Sequence, residues 1–145
     1  MTDADVPGIA FVDTNVLVYA FAPDDTRRSP VAARLLEQLM LAERFRTSTQ
    51  VLQELFVTLT RKGARPMRAE RAIHYLDQLA AFPVVTTDYT MIRDAATLSA
   101  QDKLSFWDGL VIVSAVRSGA QILYSEDLRH GRTIRGLKIL NPFRV

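Results

Sequence analysis

The 145-residue sequence contains no cysteine and only two histidines, His74 and His130. The absence of cysteine excludes disulfides, zinc fingers, iron–sulfur clusters and a thiol nucleophile, and it is consistent with a cytoplasmic protein. Two histidines are too few for a histidine-rich metal site, and they do not form the helical HExxH pattern. We therefore expect any metal ligands in this chain to be carboxylates.

The sequence also lacks a strong charge of one sign and a long apolar run. Its 18 Lys and Arg residues and 16 Asp and Glu residues give a net charge of +2, which is too small to indicate a nucleic-acid partner by itself. No apolar run is long enough to span a membrane, so no membrane partner is predicted. Residues 1–8 have no apolar signal core and are predicted to be a flexible lead-in, and residues 9–145 have the length of a single domain.

Short apolar runs alternate with helical patterns along the chain. Strands are predicted at 9–12, 45–47, 82–86, 121–124 and 137–140. Helices are predicted at 15–20, from the N-cap Ser29 onwards, from Ser48 or Thr49 to about Arg61 with Lys62 and Gly63 ending it, and at 67–80, 89–100 and 106–118. This alternation predicts an α/β fold with a mostly parallel sheet, whose strands are buried on both faces.

Four acids stand where predicted strands end or predicted helices begin. Asp13 and Asp127 follow strands, whereas Glu54 and Asp108 lie near helix starts. Each has an ordinary structural explanation when it is taken alone, as a loop cap, a capping-box residue or a first-turn acid that stabilises the helix dipole. Ligands of open α/β sheets bind at the carboxyl ends of the strands. Taken together, the four carboxylates indicate a site for a hard cation such as Mg²⁺ or Mn²⁺, of the kind that assists phosphoryl chemistry.

Four segments that contain these acids carry a resemblance to a known family. They are Phe11-Val-Asp-Thr-Asn-Val-Leu17, Thr49-Gln-Val-Leu-Gln-Glu54, Leu104-Ser-Phe-Trp-Asp-Gly-Leu110, and Leu123-Tyr-Ser-Glu-Asp-Leu128 with Gly131. In this order and spacing they resemble the motifs of the PIN-domain family, specifically of VapC-type ribonuclease toxins of type II toxin–antitoxin systems. The ending Leu137-Lys-Ile-Leu-Asn-Pro-Phe143 is similar to the close of many members, so the resemblance covers about residues 9–143.

The resemblance implies a fold, an activity and a set of site residues. The fold would be a three-layer α/β/α sandwich, and the activity that of an Mg²⁺- or Mn²⁺-dependent endoribonuclease using a metal-activated water and leaving 5′-phosphate and 3′-hydroxyl ends. Asp13 and Asp108 would be the central metal ligands and catalytic acids, and Glu54 and Asp127 would complete the set. The supporting residues would be Asn15, which braces the Asp13 loop, and Ser125, which holds a ligand or water. Glu126 is an alternative to Asp127, although the Ser/Thr-x-Asp order of the family favours Asp127.

The resemblance also implies partners, namely an RNA substrate, a cognate antitoxin that inhibits the enzyme, and a second copy in a homodimer. Three arginines that follow Asp127 are candidates for contact with RNA: Arg129, Arg132 and Arg135. A second basic group at 61–71 is either an RNA rim or a solvated turn. An antitoxin helix would need an apolar groove, which the predicted helical hairpin 29–61 could form from Leu36, Met40, Leu52, Phe56 and Leu59.

Two other functions are compatible with parts of the sequence. The first is a catalytically silent PIN-like module that binds RNA or protein, although the presence of all four acids argues against it. The second is a phosphotransfer domain with Asp13 as nucleophile, but Asn15 stands where such a fold usually has a second acid. His74 and His130 are interpreted as structural or surface residues.

Overall fold

The computed structural model describes residues 8–61 and 65–144. The strands are β1 (Ala10–Val12), β2 (Phe45–Ser48), β3 (Val84–Val85), β4 (Ile122–Tyr124), β5 (Thr133–Ile134) and β6 (Leu137–Leu140). The helices are α1 (Thr14–Phe21), α2 (Arg28–Leu41), α3 (Thr49–Arg61), α4 (Ala69–Ala80), α5 (Tyr89–Asp102) and α6 (Phe106–Arg117). Residues 1–7 of the predicted lead-in and the predicted helix end at Lys62 and Gly63 lie outside the described residues.

The strands form one sheet in the order β3-β2-β1-β4-β6-β5. All neighbouring pairs are parallel except β5 and β6, which are antiparallel. Every residue of β1 and β4 is buried, and because successive side chains of a strand point to opposite faces, both faces of the sheet are covered. Helix α1 packs on α2 and α3, α3 packs on α4, and α5 packs on α6. The predicted α/β fold with a mostly parallel sheet is confirmed.

Strand β1 lies at the point where the strand order reverses. The chain places β2 and then β3 on one side of β1 and later returns to place β4 on its other side. Connections that leave such a switch point diverge, so a crevice opens at the carboxyl ends of the two strands. Asp13 directly follows β1, and its N–H donates to the carbonyl of Tyr124, the last residue of β4, at 2.9 Å. The fold therefore has its natural ligand crevice beside Asp13.

The predicted N-cap of the second helix is wrong. Helix α2 begins at Arg28, one residue before Ser29. The Asp25 carboxylate accepts the N–H groups of Arg27 and Arg28 at 2.9 and 2.8 Å, which is the work expected of a capping side chain. The Ser29 hydroxyl instead donates to the carbonyl of Ala22 at 3.1 Å.

Several other boundaries differ from the prediction. The predicted strand 82–86 is reduced to the two residues of β3, and Phe82 packs its ring edge-on against Phe45 with the centroids 5.6 Å apart. Helix α4 begins two residues later than predicted. The short strand β5 was not predicted; it pairs with β6, across a turn in which Arg135 and Gly136 both have positive φ. No helix within the described ranges is long and apolar enough to cross a membrane.

Candidate active site and metal centre

One pocket of about 400 Å³ at the carboxyl ends of β1 and β4 is lined by all four predicted acids. Its lining residues are Asp13, Thr14, Asn15, Val18, Tyr19, Gln50, Glu54, Thr58, Trp107, Asp108, Val111 and Asp127. The structure thus brings together acids from four distant segments of the sequence. Ser125 is buried beside the pocket, where its hydroxyl contacts Asp13.

Asp13 is the buried acid of the pocket. Its carboxylate caps α1 by accepting the N–H of Thr14 at 2.8 Å, and its other oxygen accepts the hydroxyl of Ser125 at 2.8 Å. Burial raises the pKa of Asp13 to about 6, although these two hydrogen bonds lower it, and the negative charges of Asp127 and Glu54 raise the pKa further. The protein therefore compensates the charge of Asp13 only in part, and a bound cation would supply what is missing.

Glu54 is positioned by two side chains that the sequence analysis did not single out. The amide nitrogen of Gln50 donates to one carboxylate oxygen at 2.9 Å, and the hydroxyl of Thr14 donates to the other at 3.2 Å. Glu54 is the sixth residue of α3 and so cannot act as its capping-box acid; the Ser48 hydroxyl accepts the N–H of Val51 there instead. Glu54 is thus fixed to the start of α1, next to Asp13.

The side chain of Asn15 holds the segment that follows β4. Its amide nitrogen donates to the Asp127 carboxylate at 2.9 Å, and its amide oxygen accepts the N–H of Glu126 at 3.3 Å. The Glu126 carboxylate accepts from the Arg28 guanidinium at 2.6 Å and from the Tyr19 hydroxyl at 3.0 Å. Asp127 lines the pocket and Glu126 does not. Asn15 therefore fastens the Asp127 segment to the start of α1, a wider role than bracing the Asp13 loop.

Asp108 lies in the first turn of α6, where an acid also interacts favourably with the helix dipole. Its N–H is capped by the hydroxyl of Ser105 at 3.0 Å, and its carboxylate makes no hydrogen bond or ion pair to a described residue. The next residue, Gly109, lies so close to α5 that a Cβ there would be 2.8 Å from the carbonyl oxygen of Ala95. This close helix contact fixes the start of α6, and with it Asp108, at the pocket.

The donor groups of the pocket suit a hard divalent cation. Carboxylate, hydroxyl and amide oxygens line it, and no histidine is among its described lining residues. Within the described ranges, however, no three acid or histidine side chains lie close enough to surround one ion. The oxygen ligands of the pocket are of the kind that binds Mg²⁺ or Mn²⁺. Its acids are spread around the wall, and three of them accept hydrogen bonds from neighbouring side chains.

The three arginines predicted to contact RNA do not line the pocket. Arg132 and Arg135 are paired with Asp102 and Asp94 of α5 at 2.9 and 3.5 Å. Arg129 is exposed and has no ion pair to a described residue. The paired arginines connect the β4–β6 segment to α5, so Arg129 is the member of the three whose charge is free for a ligand within the described structure.

The two histidines lie outside the pocket. His130 accepts the N–H of Asn141 through Nδ1 at 2.9 Å, and it thereby connects the segment after β4 to the segment after β6. His74 is an exposed residue of α4, with its ring 6.0 Å from that of Tyr75. Neither ring is placed to act on a ligand held between the acids.

Thr14, Gln50 and Trp107 are among the pocket residues that the sequence analysis did not predict. Each of them was within one residue or one helical turn of a predicted acid. Gln50 precedes Glu54 by four residues, the spacing at which two helical side chains meet. Thr14 and Trp107 are the chain neighbours of Asp13 and Asp108.

A second pocket, of about 440 Å³, is mainly apolar and lies between α1, α2 and α4. Its lining residues are Ala20, Phe21, Ala33, Leu36, Glu37, Met40, Leu41 and Gln78. Of the five residues predicted to form a groove, Leu36 and Met40 line it, while Leu52, Phe56 and Leu59 pack on the core elsewhere. Segment 29–61 is not a helical hairpin, because β2 separates α2 from α3.

This architecture is similar to that of several known proteins. The family model of the PIN domain matches residues 10–135. VapC20 of Mycobacterium tuberculosis, a sarcin-ricin loop cleaving toxin, has 24% identity and a TM-score of 0.63, over 81% of this chain and 89% of that chain. A toxin–antitoxin complex from Klebsiella pneumoniae has 17% identity and a TM-score of 0.69, over 94% and 99%. VapBC2 from Rickettsia felis, bound to a DNA fragment from its promoter, has 19% identity and a TM-score of 0.62, over 90% and 96%.

These structural similarities are similarities of fold, since all three identities are below 25%. No curated protein matches the sequence at a significant level. The family model, in contrast, spans most of the chain, from the first residue of β1 to the turn after β5. This chain belongs to the PIN-domain family.

Proposed function

We propose that this protein is a divalent-metal-dependent endoribonuclease of the VapC type, the toxin of a toxin–antitoxin pair. The observation that carries the proposal is the meeting of Asp13, Glu54, Asp108 and Asp127 in one pocket at the switch point of the sheet. Four carboxylates gathered in one pocket repel one another unless a cation or a proton offsets their charge. Membership of the PIN-domain family and the shared fold of a toxin that cleaves RNA support the reaction class.

Asp13 and Asp108 would hold Mg²⁺ or Mn²⁺, and Glu54 and Asp127 would complete the site. When bound, such an ion supplies activation of water and stabilisation of the charge that develops at phosphorus. The raised pKa of Asp13 supports its place in this set, because a buried carboxylate with incomplete compensation has most to gain from a cation.

The chain's own residues keep the acids in place for this chemistry. Ser125 orients the Asp13 carboxylate, Gln50 and Thr14 orient Glu54, and Asn15 orients Asp127. Fixing charged groups before the reaction lowers the reorganisation that the transition state would otherwise require. A route through the RNA 2′-hydroxyl usually needs a histidine base, and the described pocket offers none, which favours hydrolysis to 5′-phosphate and 3′-hydroxyl ends.

The proposal includes a cognate antitoxin, a homodimer and a cytoplasmic location. The apolar groove between α1, α2 and α4 suits a helix of the antitoxin, and Leu41 at its edge is 78% exposed. Large exposed apolar side chains beside a groove are typical of a surface that another protein covers. Co-purification with the product of a neighbouring short reading frame, and its loss in Leu41→Asp, would test this part.

The nuclease activity is tested with purified protein and a fluorescent single-stranded RNA, with Mg²⁺, with Mn²⁺ and with a chelator. The wild type should cleave only with metal, and Asp13→Asn and Asp108→Asn should each remove most of the activity. Asp77→Asn, an exposed acid of α4 outside the pocket, is the matched control and should cleave as the wild type does. Equal cleavage by all four proteins would contradict the assigned site, and RNA binding without cleavage under any metal would indicate the silent binding module instead.

A further inference from the structure

Trp107 is the only tryptophan of the chain, and it is exposed at the edge of the acid pocket. It is the second residue of α6, directly before Asp108, and 62% of its surface is accessible. Tryptophan is ordinarily buried over most of its surface, because its large ring gains more than any other from leaving water. An indole kept in water beside four carboxylates therefore points to a ligand.

The indole packs on its chain neighbour, and the backbone of Trp107 is held by the same side chain that positions Glu54. Its ring packs edge-on against Phe106, with the centroids 5.1 Å apart and the planes at 80°. Its backbone carbonyl accepts the amide nitrogen of Gln50 at 3.2 Å, and the same nitrogen donates to Glu54 at 2.9 Å. Gln50 thus holds the tryptophan and an acid of the pocket in one arrangement.

We propose that Trp107 is the platform on which one unpaired base of the RNA stacks beside the cleaved phosphodiester. This inference rests on the proposed nuclease function and extends it to the substrate, which would be single-stranded or looped RNA and not a continuous duplex. Inside a duplex both faces of a base are already covered by its neighbours, so only an unpaired base can turn onto an indole. Stacking of this kind accepts any of the four bases and strengthens binding by about tenfold or more.

The surroundings of the ring favour RNA over a protein partner. Four carboxylates line the pocket that Trp107 borders, whereas an amphipathic helix needs a continuous apolar surface. Such a surface exists elsewhere, in the groove that contains Leu36 and Met40. A base stacked on Trp107 would also bring its own phosphate close to Asp108, the next residue of the chain.

Fluorescence tests the proposal directly, because all tryptophan emission of this protein comes from Trp107. The full-length Asp13→Asn variant is titrated with a single-stranded oligoribonucleotide and with a duplex of the same length, in the presence of Mg²⁺. We expect saturable quenching by the single strand and at least tenfold weaker quenching by the duplex. Equal quenching by both, or none by either, would overturn the proposal.

Substitution separates stacking from a structural role. By a labelled-RNA binding assay, Trp107→Ala should weaken binding of the single strand about tenfold, whereas Trp107→Phe should retain most of the affinity. Tyr89→Ala removes an aromatic residue of α5 that is 74% exposed and lies outside the pocket, and it should change nothing. Circular dichroism and thermal unfolding establish that the variants are folded.

Cleavage kinetics separate this proposal from the one on which it rests. If the wild type cleaves RNA and Trp107→Ala has a raised KM with kcat changed less, both stand. If Trp107→Ala cleaves as the wild type does, the stacking role is wrong and the nuclease stands. If the wild type cleaves no RNA with any metal, the nuclease fails, whatever the fluorescence shows. Loss of antitoxin binding in Trp107→Ala, with RNA binding intact, would assign the ring to a protein partner and overturn the stacking role.

Discussion

The hydroxyl of Ser125 donates to the Asp13 carboxylate at 2.8 Å, across the boundary between the two central strands β4 and β1. The same oxygen accepts the N–H groups of Asp127 and Leu128 at 3.3 and 3.4 Å. Both side chains are buried, so water cannot replace these contacts. One hydroxyl therefore orients the most buried acid of the pocket and shapes the backbone that carries Asp127.

Ser125→Ala should weaken both the fold and the site. The Asp13 carboxylate would lose a donor that lowers its pKa, and the free energy of unfolding should fall by about 1–3 kcal/mol, as measured by urea denaturation. RNA cleavage should fall as well. Ser114→Ala is the matched control, because Ser114 is equally buried and its hydroxyl has no partner within the described structure. That variant should be as stable as the wild type or more so, and an equal loss in both would contradict a special role for Ser125.

Asp13→Asn should abolish the loss of stability that the metal-free protein shows between acid and neutral pH. Burial raises the pKa of Asp13 to about 6, well above the ordinary value for an aspartate, so the folded state holds this proton more tightly than the unfolded state. The stability it contributes is full below about pH 4 and is lost as the pH rises through 6, by about 3 kcal/mol in all. Urea unfolding at pH 4.5 and 7.5 with a chelator should show this loss in the wild type and not in the variant.

Metal binding provides a second test of the role of Asp13. At pH 7.5, Mg²⁺ or Mn²⁺ should raise the Tm of the wild type, because a ligand that binds only the folded state stabilises it. The Tm of Asp13→Asn should respond far less. Identical metal responses in the two proteins would remove Asp13 from the ligand set.

Glu126→Gln and Asp127→Asn should have opposite effects. Glu126 is bound by Arg28 and Tyr19 and is outside the pocket, so its amide variant should lose about 1 kcal/mol of stability and retain cleavage. Asp127 is exposed to the pocket and its carboxylate is held, among the described residues, by Asn15, so its amide variant should keep its stability and lose about 100-fold in cleavage. Paired denaturation and cleavage assays decide the matter, and the reverse pattern would assign the site to Glu126.

Gln50→Met should separate positioning from stability. Methionine keeps the length of the side chain but cannot donate to Glu54 or to the carbonyl of Trp107. It also removes the Gln50 Oε1 atom, which is buried without a partner in the described structure, so the change in unfolding free energy should stay within about 1 kcal/mol. Cleavage should fall by about 10-fold or more, and normal cleavage would show that Glu54 needs no such support.

Much of the site could be predicted because its acids follow a rule of topology. Parallel strands end at one edge of a sheet, so acids placed after β1 and β4 meet there whatever the details of the helices. The last strand, Leu137–Leu140, was predicted with its observed bounds, since Gly136 and Asn141 interrupt the apolar run on both sides.

Other features depend on partners that are distant in the sequence. Strand β5 has an exposed Thr133 and only two residues, and it exists because β6 offers it a hydrogen-bonding edge. The sequence alone did not decide whether Glu126 or Asp127 lines the pocket, because Glu126 is drawn away by Arg28 and Tyr19, about a hundred residues earlier. The role of Gln50 depends likewise on a carbonyl of α6.

The position of β4 in the sheet also sets the moment at which the pocket can come into being during synthesis. β1 is made first, yet the neighbour that carries Ser125 and Asp127 is made after β2 and β3 and after every helix of the described chain. A growing polypeptide on the ribosome can pair β1 with β2 early, but it has no place for the fourth acid until β4 emerges and inserts beside β1. The acid pocket is therefore among the last parts of this fold to be assembled, later than every helix that the structure describes.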